Sequence, residues 1–228
     1  MLIESASIIA SDMTQDEPRH LSAAPSDFHF SRSYFEDLVD SALAHAKKLG
    51  ASDAGAEASE GFGLSVSVRK GELENVERNR DKSLGVTVYM GQRRGNASTS
   101  DFSAAAVAQT VQAAFDIARF TAEDPVAGLP DAEDVISVQE QRQDLDLFHV
   151  WNIDSAQALV LAQKIEAAAF ATDKRITNSE GAAVSAQQSH FFSAHTRGFR
   201  GGYASSRHSI SVSPIAGRGP AGGRARGG

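Results

Sequence analysis

Residues 64–90, LSVSVRKGELENVERNRDKSLGVTVYM, decide the fold class. Apolar and polar residues alternate over 64–69 and again over 84–90, and a period of two is typical of a β-strand with one buried face. Lys70-Gly71 predicts a tight turn between the strands, and Asn79-Arg80-Asp81 predicts a second turn. Parallel neighbours would need long crossover connections, so closely spaced strands favour antiparallel pairing. The stretch therefore predicts an antiparallel β meander.

A helix is predicted on the amino-terminal side of this meander. Ser33 and Glu36 have the spacing of a capping box, in which each side chain bonds the backbone N–H of the other residue. Apolar residues then recur at helical spacing as far as Leu49, and Gly50 is a typical helix stop. The pattern predicts a helix over 34–49.

Two further helices are predicted after the meander. Gly91 to Gly95 predicts a turn before the short strand Ala97–Thr99, and Ser103 can cap a second helix that ends near Phe120. Asp154, supported by Gln157, can cap a third helix that ends near Thr172.

A second set of antiparallel strands is predicted after the third helix. Asn178-Ser179-Glu180-Gly181 predicts a turn, and alternation then resumes through Val184, Ala186, Ile210 and Val212. Helices and strands follow one another in blocks, which favours an α+β fold over α/β.

The chain divides into four segments by composition. Residues 1–32 predict a disordered leader, in which either Met1 or Met13 could be the true start. Residues 33–124 hold the first helix, the meander and the second helix. Residues 125–216 begin with an acidic, proline-containing linker and continue through the third helix and the second strand set.

The tail, residues 217–228, contains only Gly, Arg, Ala and Pro. A shifted reading frame in a GC-rich gene would produce this composition, and we favour that interpretation. The alternative is a flexible Arg-Gly tail that binds nucleic acid.

The composition is that of a soluble globular protein, with 41% hydrophobic and 22% charged residues. A net charge of −7 argues against a dedicated nucleic-acid binder. There are no cysteines, so disulfides, thiolate zinc sites and cysteine nucleophiles are absent. No apolar run is long enough to span a membrane. These features together predict a cytoplasmic protein.

The histidines do not predict a metal site. No H-E-x-x-H motif is present among the seven histidines. His190 and His195 lie in a predicted strand region, where an odd offset sends side chains to opposite faces. We therefore predict no metal ligand, no cofactor-binding residue and no catalytic residue in this chain.

Other chemical motifs are equally incomplete. Ser205-Ser206 near His208 lacks an evident orienting acid, and there is no nucleophile elbow. Gly61-Phe62-Gly63 is not a dinucleotide fingerprint, because it lacks the third glycine and a following helix. The carboxylates of Glu72, Glu74 and Glu77 are expected on a solvated hairpin.

Two blocks of sequence resemble the TldD/PmbA family, once called modulators of DNA gyrase. The first is Lys70 to Ser103, which contains Gly71-Glu72-Leu73-Glu74 and Leu84-Gly85-Val86-Thr87-Val88. The second is Thr177 to Ala182, followed by Gly202-Tyr203 and His208-Ser209-Ile210-Ser211. The likeness covers roughly residues 33–216, and Glu74-Asn75-Val76-Glu77 favours the PmbA (TldE) branch.

The resemblance implies a non-catalytic subunit that pairs with a TldD-like partner in a cytosolic zinc peptidase. Family members continue into a large carboxy-terminal β-rich domain, and the zinc is expected in the TldD-like partner. The implied substrates are unfolded peptides, including microcin precursors and antitoxins. A strand edge could accept such a peptide by main-chain hydrogen bonding, and segments 84–90 and 207–213 are the candidate walls. We favour the other interpretation for each segment, an interior strand without a free edge.

Two other functions remain open on the sequence. One is an interaction-only module that contacts gyrase or an antitoxin. The other is a non-functional fragment of a broken gene, whose apolar surface would be exposed without the missing half.

Overall fold

A computed structural model describes residues 28–136, 145–217 and 225–226. The elements in chain order are α1 (Arg32–Leu49), β1 (Asp53–Arg69), β2 (Glu72–Met90), β3 (Arg93–Thr99), α2 (Ala104–Phe120), a 3₁₀ turn (Ala132–Asp134), α3 (Ser155–Thr172), β4 (Ile176–His195), β5 (Arg200–Gly201), β6 (Ala204–Ala216) and β7 (Ala225–Arg226). Across these described ranges, no helix is long and apolar enough to cross a membrane.

The strands form one antiparallel sheet of seven strands. Its order is β3-β2-β1-β4-β6-β7, and the short β5 pairs with β4. The predicted α+β class and the antiparallel meander are confirmed. The second strand set, predicted after the third helix, extends the same sheet because β4 pairs with β1 from Gly55–His195 to Val68–Ala182.

All three helices lie on one face of the sheet. The even-numbered residues of β1 pack against α1 and α2 over 54–58 and against α3 over 64–68. Alternate residues of a strand point to the same face, so both groups of contacts lie on one side. The odd-numbered residues of β1 over 55–67 are Gly, Ser or Glu, and no described helix covers them.

The first helix begins earlier than predicted, and the Ser33 capping box is wrong. Ser31 is the N-cap, and its Oγ accepts the Tyr34 N–H at 3.1 Å. Glu36 does not reach back to the backbone, because its carboxylate pairs with Arg32 at 3.0 Å. The predicted stop is confirmed, since Gly50 adopts the left-handed conformation with φ of 92°.

The other two helices are confirmed with their caps. Ser103 Oγ accepts the Ala106 N–H at the start of α2. The α3 capping box is complete, with the Gln157 N–H donating to Asp154 at 2.8 Å and the Asp154 N–H donating to Gln157 at 3.0 Å.

The strands are longer than predicted, one predicted turn is wrong, and another is shorter than predicted. Lys70 and Gly71 do form the first turn, with φ values of 55° and 80° that fit a type I′ hairpin. Asn79-Arg80-Asp81, however, continues β2 and pairs with Gly63-Phe62-Gly61 of β1. The turn predicted at 91–95 occupies only Gly91 and Gln92, since β3 begins at Arg93.

The turn predicted at 178–181 is an irregularity inside β4. The register against β6 shifts twice, between Ile176 and Asn178 and between Ser179 and Ala182. Gly181 has φ of +120°, and a Cβ there would lie 2.7 Å from the Val68 carbonyl oxygen. The turn-forming residues therefore create a bulge, and the strand continues through it.

Arg197 holds the acidic linker against the sheet. Its guanidinium pairs with Asp53 at 2.9 Å and with Asp131 at 3.2 Å, and it donates to the Leu129 carbonyl at 3.1 Å. The linker is therefore fixed at its middle by one side chain from the end of β4.

The predicted leader and tail fall mostly outside the described residues. Of the leader, Phe28 to Arg32 are described, and Phe30 packs against the core. Of the tail, Gly217 and the β7 backbone are described, and β7 pairs with Ile215 and Ala216. The four-segment division and the shifted-frame interpretation stay predictions.

Candidate functional site at an open strand edge and a buried carboxylate

The first candidate wall for a bound peptide, residues 84–90, is an interior strand. This part of β2 pairs with β1 on one side and with β3 on the other. Its main-chain hydrogen-bonding groups are therefore occupied within the sheet, and the favoured interpretation of an interior strand is confirmed for this segment.

The second candidate wall, residues 207–213, lies at an edge of the sheet, so the interpretation as an interior strand is wrong for this segment. These residues of β6 pair with β4 on one side, while β7 covers only Ile215 and Ala216 on the other. Near the start of β6, the Ser206 N–H donates to the Leu147 carbonyl at 2.9 Å. Within the described residues, no strand pairs with the outer side of 207–213, so its outward main-chain groups can accept another strand.

The opposite edge of the sheet carries many charged side chains. Residues 72–83 of β2 also have no outer strand partner in the described part of the chain. They carry seven charged side chains: Glu72, Glu74, Glu77, Arg78, Arg80, Asp81 and Lys82. Over 204–213, β6 carries Arg207 and His208 together with the exposed Ile210. Because edge charges discourage strand addition, β6 is the more receptive edge.

A buried carboxylate lies in the middle of the helix-covered face. Glu60 of β1 is 2% exposed, and its side chain accepts the backbone N–H groups of His29 at 2.9 Å and of Phe30 at 3.1 Å. The Arg80 guanidinium also donates to it. Burial raises the pKa of Glu60, but the N–H groups of Phe30 and His29 and the Arg80 charge outweigh burial, so the net pKa lies below its usual value.

His190 of β4 is the cross-strand neighbour of Glu60. Its ring lies between Phe28 and Phe35, with centroid distances of 4.1 and 4.6 Å. Its Nε2 is 3.6 Å from the Glu60 carboxylate, too far for a hydrogen bond, and no other partner is found for it. Burial lowers the pKa of His190, and the nearby Glu60 charge offsets only part of that effect.

A second buried carboxylate joins α3 to the β1–β2 hairpin. Glu166 is 1% exposed and accepts the N–H groups of Lys70 at 3.0 Å and of Gly71 at 2.7 Å. Burial raises the pKa of Glu166, but the hydrogen bonds from Gly71, Ser179 and Lys70 outweigh burial and leave the pKa lowered.

The structure disperses the other residues considered for chemistry. Ser205 contacts Ser189 at 3.3 Å, whereas Ser206 accepts the His149 N–H and His208 packs against Trp151. The side chains of Glu72, Glu74 and Glu77 are exposed along the hairpin, as the sequence predicts.

His190 and His195 lie on opposite faces of the sheet, as the strand offset predicts. His190 shares the helix-covered face with Phe192 and Ala194 of β4, whereas His195 is half-buried on the other side. The two imidazoles are therefore not brought to one site.

Sequence reasoning missed both buried carboxylates. Glu60 occupies an even-numbered position of β1, so the alternation that marks the inward face also places this charge on it. A charged residue at an inward position predicts a local partner network. Glu166 gives a weaker signal, since α3 is largely apolar and its inward stripe is not distinct.

Comparison with protein families identifies the chain. Residues 56–118 match the family model described as PmbA/TldA metallopeptidase domain 1, and residues 148–228 match the central domain of the same family. The chain belongs to the PmbA/TldD family. The resemblance inferred from the two sequence blocks is confirmed.

Curated relatives carry the name metalloprotease PmbA. The chain is 46% identical to Metalloprotease PmbA of Escherichia coli O157:H7 over 187 residues, which cover 81% of this chain and 40% of that protein. It is 44% identical to a PmbA homolog of Haemophilus influenzae over 155 residues, which cover 68% of this chain and 34% of that protein. The chain therefore spans well under half of the length of these relatives.

Solved structures share the fold at low sequence identity. A putative modulator of DNA gyrase from Bacteroides thetaiotaomicron superposes with a TM-score of 0.72 at 20% identity, covering 83% of this chain and 42% of that one. TldE from Thermococcus kodakarensis superposes with a TM-score of 0.64 at 14% identity, covering 79% and 39% respectively.

The zinc ion implied by the metallopeptidase family does not fit the described residues. No group of three His, Asp or Glu side chains that could hold a metal is found in the described ranges. The unpartnered His190 nitrogen lies beside Glu60, but the guanidinium of Arg80 and two backbone N–H donors already surround that carboxylate. The positive charge of Arg80 and the partial positive charges of the two N–H groups oppose a bound cation at this place.

Proposed function

We propose that this PmbA/TldD-family chain is a PmbA/TldE-type part of a cytosolic zinc metallopeptidase complex that degrades or processes unfolded peptides. In this proposal the chain does not cleave peptides alone. A TldD-like subunit binds the zinc and carries the catalytic residues. The 46% identity to a protein named metalloprotease PmbA supports the peptidase assignment, and the fold shared with TldE supports the branch.

The open edge of β6 is the observation that best supports a role in handling peptides. An extended peptide can add to residues 207–213 by main-chain hydrogen bonds, which read the backbone and not the side chains. Such binding selects unfolded segments over folded proteins. Microcin precursors and antitoxins are substrates of this chemical class, and they enter the proposal through the family resemblance.

The contacts of the buried Glu60 support the proposal that the TldD-like subunit, and not this chain, binds the zinc. Glu60 is held by cationic and N–H donors, so its charge is used within the fold. The proposal therefore expects zinc to follow the TldD-like subunit in the assembled complex.

Co-expression with the TldD-like subunit tests the proposal. The chain and its full-length version are each co-expressed with that subunit, purified by a tag on the PmbA-type chain, and assayed for zinc and for cleavage of an unfolded protein. Copurification of the TldD-like subunit, together with cleavage that needs both subunits, is expected for the full-length version.

Two results would contradict the proposal. One equivalent of zinc in the purified chain alone, or cleavage by that chain alone, would show that it is catalytic. Peptide binding that the TldD-like subunit never converts into cleavage would instead favour an interaction-only module.

A further inference from the structure

Aromatic side chains cover the middle of the helix-covered face of the sheet. One hydrophobic cluster lies under α1 and α2 and a second lies under α3, and the strand rows of Glu60 and Phe62 fall between them. Phe28 covers this gap, with its ring 5.3 Å from Phe62 and 5.9 Å from Phe148. We call the gap between the two clusters the central cleft.

The segment Phe28-His29-Phe30 occupies the central cleft in the manner of a bound peptide. In the described part of the chain, its backbone hydrogen bonds go to one group, the Glu60 carboxylate. Those bonds come from the N–H groups of His29 and Phe30, so they would form with most residue types at these positions. This is main-chain recognition of a short bent segment, because two successive N–H groups converge on one carboxylate.

Side-chain recognition comes from the first and third positions. The Phe28 ring contacts His190 at 4.1 Å, and the Phe30 ring contacts Tyr34 at 4.9 Å and Phe102 at 5.3 Å. His29, between them, is exposed. The cleft therefore contacts the side chains of the first and third residues, which are aromatic, and leaves the second side chain in solvent.

Most of the cleft wall does not depend on this segment. Phe35 and Phe102 belong to the main core cluster, and Arg80 holds Glu60 from the neighbouring strand. The buried Nε2 of His190, which belongs to a side chain only 5% exposed, has no hydrogen-bond partner at the cleft. Buried polar groups usually have a hydrogen-bond partner, so this nitrogen is available to a polar group on a bound segment.

We infer that the central cleft is a peptide-binding site for a bent aromatic–any–aromatic segment, occupied here by residues 28–30 of the same chain. A segment of the same pattern on another protein competes with residues 28–30 for Glu60 and the two aromatic positions. Because the internal segment is tethered beside the cleft, it lowers the apparent affinity for any outside peptide.

Peptide binding to a variant with an emptied cleft tests this inference. The probe is an acetylated, fluorescein-labelled peptide with the sequence of residues 26–32, SDFHFSR, and its control has both phenylalanines replaced by alanine. The proteins are the full chain, the full chain with Phe28→Ala and Phe30→Ala, and that double variant with Glu60→Gln added. Fluorescence anisotropy measures binding, and circular dichroism checks folding.

The double variant is expected to bind the probe at least about tenfold more tightly than the unaltered chain, because the internal segment loses both rings and keeps only its two N–H groups to compete with the probe. Adding Glu60→Gln should weaken that binding about tenfold, since the charge that accepts the two N–H groups is lost. Equal binding of the probe and its alanine control, or no effect of Glu60→Gln, would overturn the inference.

Hydrogen exchange in the unaltered chain gives an answer even if the variants do not fold. The amides of His29 and Phe30 are expected to exchange slowly, and an excess of the unlabelled peptide should speed their exchange by displacing the segment. Fast exchange without peptide, or exchange that the peptide leaves unchanged, would contradict the inference. Neither experiment needs a TldD-like subunit or zinc, so its failure would leave the proposed function untouched.

Discussion

The Glu166 carboxylate of α3 accepts the backbone N–H of Gly71, at the tip of the β1–β2 hairpin, at 2.7 Å. The same carboxylate accepts the Lys70 N–H at 3.0 Å, and Gln163 of α3 donates to the Gly71 carbonyl at 2.8 Å. The helix thus binds the turn through the turn's own backbone, which fixes the hairpin against α3.

Replacing Glu166 with alanine is expected to lower the free energy of unfolding by about 2–3 kcal/mol. The reason is that the two N–H groups of the turn lose their acceptor in a buried place. Urea denaturation followed by circular dichroism measures the loss. The matched control is Glu180→Ala, at an exposed position of β4, where the change should stay within about 0.5 kcal/mol. Equal effects at the two positions would show that the turn does not depend on Glu166.

Gly95 lies where α2 packs closely against the sheet. A Cβ at this position of β3 would lie 2.0 Å from the Ala114 carbonyl oxygen and 2.5 Å from the Ala118 nitrogen. Gly95→Ala must therefore push the helix backbone away, and we expect a cost of at least about 2 kcal/mol.

Gly85→Ala is the matched control for that change, since a Cβ at Gly85 meets no atom within 4 Å. Thermal unfolding of the two variants compares them directly. A Gly95→Ala protein as stable as Gly85→Ala would mean that α2 does not rest on β3 as described.

His190 should make the stability fall as the pH falls from about 7 to about 5. Its pKa is lowered by burial, so below the ordinary value of about 6.5 the unfolded chain takes up a proton that the folded chain refuses. Glu60 does not cause this slope, because the stability that its lowered pKa contributes is lost only below its ordinary pKa of about 4.5, where the unfolded chain takes up the proton. His195, whose pKa burial also lowers, adds a slope of the same sign.

His190→Gln should reduce this slope by up to about 1.4 kcal/mol per pH unit, the limit for one proton. His208→Gln, the same change at an exposed position of β6, is the control. The free energy of unfolding is measured in urea at several pH values. An unchanged slope in His190→Gln would show that His190 is protonated as easily in the folded chain as in the unfolded one.

The local chemistry of single residues predicted the N-caps of α2 and α3 and the first turn, whereas long-range partners decided the strand pairing. Asp154 with Gln157 and Lys70 with Gly71 form their structures from neighbours in the chain, so the sequence carries them. Asn79-Arg80-Asp81 has equally good turn chemistry. It remains strand because it pairs with Gly61-Phe62-Gly63 and because Arg80 binds Glu60.

The candidate site was likewise predicted only where local sequence patterns determine it. Alternation predicted strands at 84–90 and 207–213, but it could not show which of them lies at an edge, because that depends on the order of strands in the sheet. The carboxylate Glu60 lies in the alternating pattern, whereas its partners at residues 29 and 30 come from a segment without periodicity. The contact between Glu60 and these residues depends on tertiary structure, so no local sequence pattern predicts it.

The two edges of the sheet should differ in how readily they associate. Val76 and Ile210 lie at opposite ends of one row, joined through Val66 and Val184, and are 42% and 55% exposed. Charges surround Val76 on β2, whereas Ile210 lies on the sparsely charged edge of β6.

We therefore expect Ile210→Lys to raise the monomer fraction of the purified chain at high concentration, and Val76→Lys to leave it unchanged. Sedimentation velocity over a concentration series measures both. Equal behaviour of the two variants would mean that β6 is no more receptive than β2, and the peptide-binding role proposed for its edge would lose its structural support.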